Sequence, residues 1–251
     1  MAALGLMPAA KMLHRWLTQL GVPRVVPTVK RTLPHDPTAF TQGLAYFDGR
    51  LYESTGTETN SSLRCIDPDN GRLLHVVPVP DDFCEGIAQW NGRLYQLSWQ
   101  GGTSRIYELP NLTIVGTATY SGEGWGLTAL DDLLLMSDGS SVLRFVDESF
   151  ETVRTLHVAS HGIPMPGIND VEAGPRFVLA NVYGRTDDLE IGPHTGRVLR
   201  IIDCGASKHK LGLCHFSRAM NAVLKSYGFE GGSDGQGLET PYRSDFRSGA
   251  V

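Results

Sequence analysis

Apolar positions along this chain come in short runs, broken every few residues by glycine, asparagine, aspartate or proline. That is the pattern of β-strands joined by tight turns. One run recurs. Phe40-Thr-Gln-Gly-Leu-Ala-Tyr-Phe-Asp-Gly-Arg-Leu-Tyr-Glu-Ser54 returns about 43 residues later as Phe83-Cys-Glu-Gly-Ile-Ala-Gln-Trp-Asn-Gly-Arg-Leu-Tyr-Gln-Leu97. Looser copies begin at Gly124-Trp-Gly-Leu-Thr-Ala-Leu and at Asn169-Asp-Val-Glu-Ala-Gly. Each unit reads as strand, tight turn, strand. The turns are Asp48-Gly49, Asn91-Gly92 and Asp131-Asp132, and the Asp-Gly and Asn-Gly pairs supply the positive φ of a two-residue hairpin loop.

A second strand pair follows each of the first three hairpins: 63–67 with 72–79, 104–109 with 113–119, and 142–147 with 152–158. Four strands per period of roughly 40 residues define a propeller blade. The expected fold is therefore all-β, a five-bladed β-propeller of four-stranded blades with an incomplete or atypical fifth. The segment 25–33 is expected to add an outer strand. A β-sandwich also supplies many short strands but leaves the matching hairpins unexplained. The expected organisation is a flexible leader over 1–24, a propeller with four recognisable repeats over 25–204, and an atypical segment over 205–251. In that last segment no fifth hairpin copy appears, and 211–227 reads as mildly helical.

Composition narrows the picture. Of 251 residues, 41% are hydrophobic and 20% charged, ordinary values for a globular chain. A net charge of −5 without a Lys/Arg stripe argues against nucleic acid. Cys65, Cys84, Cys204 and Cys214 lie far apart with no CxxC pair, which disfavours a zinc cage and leaves room for one disulfide. The leader carries its charges after a short apolar stretch, the reverse of a secretory signal.

Loops leading into the inner strands of a propeller converge at one mouth of the channel. Here they bring Phe40 and Gln42, Cys84 and Glu85, Glu123 and Trp125, and Asn169, while turns at the hairpin ends add Trp99 and Tyr183. The expected site is an aromatic-walled pocket with a few carboxylates and amides and no Ser-His-Asp triad. Taken singly, each of these residues has a structural reading: a turn carboxylate, core indoles, loop-bracing amides. Likewise His35 beside Pro34 reads as turn chemistry.

Several motifs together, in order and spacing, resemble the plant and bacterial glutaminyl cyclase family. They are Pro34-His-Asp-Pro-Thr-Ala-Phe-Thr-Gln-Gly-Leu44, Cys84-Glu-Gly-Ile87, Leu97-Ser-Trp99, Gly122-Glu-Gly-Trp-Gly-Leu127, Met136-Ser-Asp-Gly139 and Ile168-Asn-Asp-Val-Glu172. The resemblance implies a five-bladed propeller that closes N-terminal glutamine of peptides into pyroglutamate, with no cofactor and no catalytic zinc. It also implies a secretory or periplasmic setting. Carried over by position, it makes Glu85 the proton carrier and puts Phe40, Gln42, Trp99, Trp125, Asn169 and Tyr183 around the substrate. Burial against Trp99 and Trp125 is expected to raise the pKa of Glu85. The expected partners are peptides or proteins beginning with glutamine, met by a monomer without nucleic acid or membrane.

Two departures from the family pattern stand out. Asn181-Val-Tyr183 has tyrosine where the family carries tryptophan, and no counterpart of the family's fifth blade, with its site lysine, follows Cys204. They sustain two alternatives: an inactive propeller binding peptides or a protein partner, and a cyclase for a different amine. The abrupt change also raises the expectation of a splice variant, frameshift or truncated paralogue.

Overall fold

The structure is a computed structural model, and it describes residues 21–28 and 34–205. Within them, all the regular elements named below are strands. β1 (Arg24–Val25) precedes four four-stranded antiparallel blades. Blade one is β2 (Thr41–Phe47), β3 (Arg50–Thr55), β4 (Ser61–Ile66) and β5 (Leu73–Val79). Blade two is β6 (Cys84–Trp90), β7 (Arg93–Ser98), β8 (Thr103–Glu108) and β9 (Thr113–Thr119). Blade three is β10 (Leu127–Leu130), β11 (Leu133–Met136), β12 (Val142–Val146) and β13 (Thr152–His157). A small hairpin, β14 (Ala159–Ser160) and β15 (Ile163–Pro164), leads to blade four: β16 (Ile168–Gly174), β17 (Phe177–Val182), β18 (Asp187–Ile191) and β19 (Val198–Asp203).

The turns behave as their residues require. Asp48 and Gly49 take φ of 47° and 71°, Asn91 and Gly92 take 47° and 75°, and Asp131 takes 56°. The pairs Phe47↔Arg50, Trp90↔Arg93 and Leu130↔Leu133 thus close two-residue loops. The expected outer strand over 25–33 is met only at its start. Arg24–Val25 lies parallel to β19 on the outer edge of blade four, anchored by Arg24 to Asp203 at 2.9 Å, and 29–33 lie outside the described residues. The expected atypical fifth blade, the helical stretch 211–227 and Cys214 also lie outside them.

Successive inner strands pack side by side, β2 on β6, β6 on β10 and β10 on β16, so the blades stack face to face around a common centre. Each second strand is therefore covered on both faces: β7 is buried at five of six positions and β17 at all six. The outermost β9 is exposed or only partly covered along its whole length. Three apolar layers fill the gaps between blades. Tyr52, Leu63, Ile87 and Leu94 join blades one and two; Tyr95, Leu97, Leu134 and Phe150 join two and three; Leu135, Phe145, Ile168 and Val178 join three and four. Each fully buried side chain of this size contributes about 1.5–3 kcal/mol, so the blades are held chiefly by these layers.

A polar seam runs beside the first layer. Gln96 Nε2 donates to Ser54 Oγ at 2.9 Å across the blade boundary, and Tyr107 Oη donates to Gln96 Oε1 at 2.7 Å. Satisfied in this way, buried polar groups fix the angle between blades instead of costing stability. Cys65 and Cys84 are buried free thiols, and Cys204 directs its thiol to Asp188 at 3.1 Å.

Candidate active site

The inner strands share one irregularity, and it carries the site. Pairing slips by one residue between Thr41 and Gly43 in β2, between Cys84 and Ile87 in β6, and between Ile168 and Val171 in β16. Just before β10 the same geometry recurs: Trp125 N–H donates to Ser137 O and Ser137 N–H to Gly126 O, both at 3.0 Å, so one residue faces two. A bulge breaks the in–out alternation of a strand and re-aims a side chain. The re-aimed residues are Gln42, Glu85, Trp125 and Asn169, one from each blade.

The residue after each of the first three is glycine, because the next blade's backbone lies against it. A Cβ on Gly43 would stand 2.8 Å from Ile87 N, one on Gly86 2.6 Å from Trp125 O, and one on Gly126 2.4 Å from Asn169 O. Gly86 N–H donates to Trp125 O at 2.7 Å, tying blade two to blade three at the site itself. In blade four the corresponding residue is Asp170. It is buried, its N–H donates to Asn181 Oδ1 at 2.7 Å, and burial pushes its pKa up to about 8.

Glu85 is buried, with 7% of its surface exposed, and accepts a hydrogen bond from Gln42 Nε2 at 2.8 Å. Burial, reinforced by the neighbouring carboxyl groups of Glu123 and Asp170, holds its carboxyl well above the ordinary range against the opposing pull of the Gln42 amide. The raised pKa was expected from the two indoles; the acidic neighbours were not. Gln42, expected to hold substrate, also orients Glu85.

The aromatic residues form a chain of edge-on contacts. Phe40 meets Phe83 with centroids 6.3 Å apart, Phe83 meets Trp99 at 5.4 Å, and Trp125 meets Tyr183 at 5.8 Å. Trp125 lies over Gly139, where a Cβ would come within 2.7 Å of the indole. Tyr183 is 64% exposed and forms the outer rim. Asn169 stands on its bulge, its carbonyl oxygen accepting the Ser137 hydroxyl. The seven site residues named from sequence thus occupy bulges or adjoining loops at equivalent ends of the four inner hairpins.

Two members have no role assigned from sequence, Phe83 and Glu123, the latter placed among the mouth loops without one. Phe83 links Phe40 to Trp99, and its place one residue before Cys84-Glu85, matching Phe40 before Thr41-Gln42, was the available signal. Glu123 accepts the indole N–H of Trp99 at 2.9 Å and of Trp125 at 2.8 Å on the same oxygen. Its partners come from two blades, which no sequence spacing reveals. His35, read from sequence as turn chemistry, instead braces blade one: its Nε2 lies 2.7 Å from the buried Glu53 carboxylate of β3. A cavity of about 60 Å³ opens beside that pair, lined by Pro34, Asp36, Arg64 and Leu73 as well.

Fold and site together define a β-propeller that gathers a buried carboxyl group and an aromatic wall at the bulged ends of its inner strands. The chain belongs to the glutamine cyclotransferase family, whose model matches residues 2–226, beyond both ends of the stretch that carries the sequence resemblance. It is 34% identical over 170 residues to a glutaminyl-peptide cyclotransferase of Arabidopsis thaliana, covering 66% of this chain and 53% of that protein. The chain therefore spans about half the length of this curated relative. The solved glutaminyl cyclase of Myxococcus xanthus superposes with a TM-score of 0.71 at 34% identity, covering 76% of this chain and 82% of that one.

Proposed function

We propose that this chain converts the N-terminal glutamine of peptides into pyroglutamate with release of ammonia, Glu85 carrying the proton. The observation that carries the proposal is the environment of Glu85: a buried carboxyl group, oriented by Gln42 and held above its ordinary pKa, on one of the bulges that recur at the ends of the inner strands. Membership of the glutamine cyclotransferase family supplies the substrate class.

The α-amine of the substrate, whose pKa is about 8, must be neutral to attack the carbon of its own side-chain amide. A new C–N bond forms, the original amide C–N bond breaks, and the nitrogen that leaves must depart as ammonia. The attacking nitrogen gives up one proton and the departing nitrogen gains one, so a single carboxyl group can accept the first and return the second. A carboxyl with a raised pKa suits both transfers, since it gives up and takes back a proton near neutral pH. The five-membered closure is intramolecular, which leaves orientation and proton transfer to the protein. The aromatic wall of Phe40, Trp99, Trp125 and Tyr183 excludes water and orients the chain end, and the amides of Asn169 and Gln42 receive the side-chain amide and its developing oxyanion.

The test is mass spectrometry of a glutamine-initiated peptide incubated with purified protein, beside the same peptide acetylated on its α-amine. Loss of one ammonia above the spontaneous rate, from the free peptide alone, is the expected result. No loss with folded protein overturns the proposal.

A further inference from the structure

Glu123 belongs to the loop between β9 and β10, and its carboxylate receives two indoles from different blades. Trp99, at the end of the second blade's inner hairpin, and Trp125, on the third blade's bulge, both donate to Oε2, at 2.9 and 2.8 Å; Gln100 Nε2 donates to Oε1 at 3.3 Å. Each indole has one N–H and packs on its other side against a different neighbour, Trp99 on Phe83 and Trp125 on Tyr183. The distance between the two wall segments is therefore set by one oxygen atom. An ionised carboxylate suits this geometry, because charge-assisted hydrogen bonds are about twice as strong as neutral ones and one oxygen carries two of them.

The backbone that presents Glu123 is itself clamped. Arg144 on β12 donates from Nη1 to Ser121 O at 2.9 Å and from Nη2 to Glu123 O at 3.2 Å. Gly124 N–H donates to Trp99 O at 3.0 Å, so main chain and side chain of the same loop both grip blade two. Gly124 has no room for a side chain: a Cβ there would stand 2.4 Å from the Tyr120 hydroxyl. A loop held this tightly at both levels exceeds what a surface turn needs.

Building on the proposed cyclisation, we infer that Glu123 is a positioning residue, whose single carboxylate oxygen fixes the Trp99 and Trp125 indoles as one substrate wall across two blades. Its charge has a second effect, since it contributes to holding the Glu85 carboxyl above its ordinary range. The two effects separate by substitution. Glu123→Gln keeps an acceptor for the indoles and removes the charge, while Glu123→Ala removes both.

The first readout is independent of turnover: the indole N–H resonances of ¹⁵N-labelled protein. In Glu123→Ala those of Trp99 and Trp125 move to values of unbonded indoles, and in Glu123→Gln both shift partway, while those of the other two tryptophans stay. The second readout is kinetic. Glu123→Ala raises KM for the glutamine peptide on the order of tenfold, the loss of a substrate-orienting wall. Glu123→Gln retains KM within about threefold, and its kcat–pH profile moves to lower pH as the charge opposing ionisation of Glu85 is lost. Should Glu123→Ala fail to fold, Glu123→Gln alone decides through its resonances and pH profile. A merely structural Glu123 would lower the melting temperature and leave KM and the pH profile of the folded variants unchanged. Unshifted indole resonances overturn the positioning role. An inactive wild type whose indole resonances respond as described overturns the cyclase reading and leaves Glu123's hold on the indoles standing.

Discussion

Replacing Gly86 by alanine tests the arrangement of bulges that brings the site together. The added Cβ would stand 2.6 Å from Trp125 O, 2.7 Å from Leu127 N and 2.8 Å from Gly126 Cα, all backbone atoms of the neighbouring blade. Carbon contacts settle at about 3.5–4.0 Å, so blades two and three must separate locally by close to 1 Å. That movement strains the 2.7 Å hydrogen bond from Gly86 N–H to Trp125 O. Overpacking costs about 1–3 kcal/mol and the weakened bond about 1 more, giving ~3 kcal/mol in all. For a chain of this size that lowers the melting temperature by about 6–12 °C. The control is Gly92→Ala, where φ is 75° but nothing lies within 4 Å of the new Cβ. It costs only the left-handed penalty of about 1–2 kcal/mol. Thermal unfolding followed by circular dichroism measures both. Since Glu85 and Trp125 flank the strained contact, turnover by Gly86→Ala should also fall by about 10²-fold, as a displacement of that order costs an oriented site. A Gly86→Ala protein as stable as wild type, or more stable than Gly92→Ala, would refute the close packing of the bulges.

Two further outcomes follow from the buried titratable groups. Asp170 has its pKa raised from an ordinary value near 3.8 to about 8, so the folded state keeps its proton while the unfolded chain loses it. Its contribution to stability is full below about pH 4 and disappears as pH rises through about 8. Asp170→Asn, which mimics the protonated form, should match wild type at pH 4 and exceed it by about 3–5 kcal/mol at pH 8 in urea titrations, at ~1.4 kcal/mol per pH unit; equal stability at both pH values would contradict this. The thiol of Cys84 is pushed up to about 12 by burial, so peptide mapping after a thiol reagent at pH 8 should find it unlabelled in native protein and labelled in urea.

The repeat was legible because its turns are chemically explicit: Asp48-Gly49 and Asn91-Gly92 announce positive φ, and the apolar runs on either side supply the strands. The third repeat, with Asp131-Asp132, was legible by position once the period was known. The candidate site residues came from the motif resemblance, which placed Glu85 and Trp125 at matching points of their repeats. The reason for that match was not legible. A bulge leaves no mark in composition, and a strict alternation drawn through Cys84-Glu-Gly-Ile87 misses the extra residue that β6 takes up there against β7. Glu123 was placed at the mouth without a role, and Arg144 was not placed there at all, for a different reason. Their roles depend on the approach of blades two and three in space, and a carboxylate two residues before a tryptophan looks like any loop acid until Trp99 arrives from another blade. Asp170, read as part of a motif, became a buried acid only once its glycine counterparts Gly43, Gly86 and Gly126 showed how little space the position has.

Ammonia release by Glu85→Gln, measured beside wild type, decides whether Glu85 carries the proton in glutamine cyclisation. Glutamine is isosteric and preserves a partner for Gln42, so the variant should fold with an unchanged near-ultraviolet spectrum. Catalysed release by wild type and a loss of at least about 10²-fold in the variant are the expected result. Turnover by folded Glu85→Gln at the wild-type rate would contradict it.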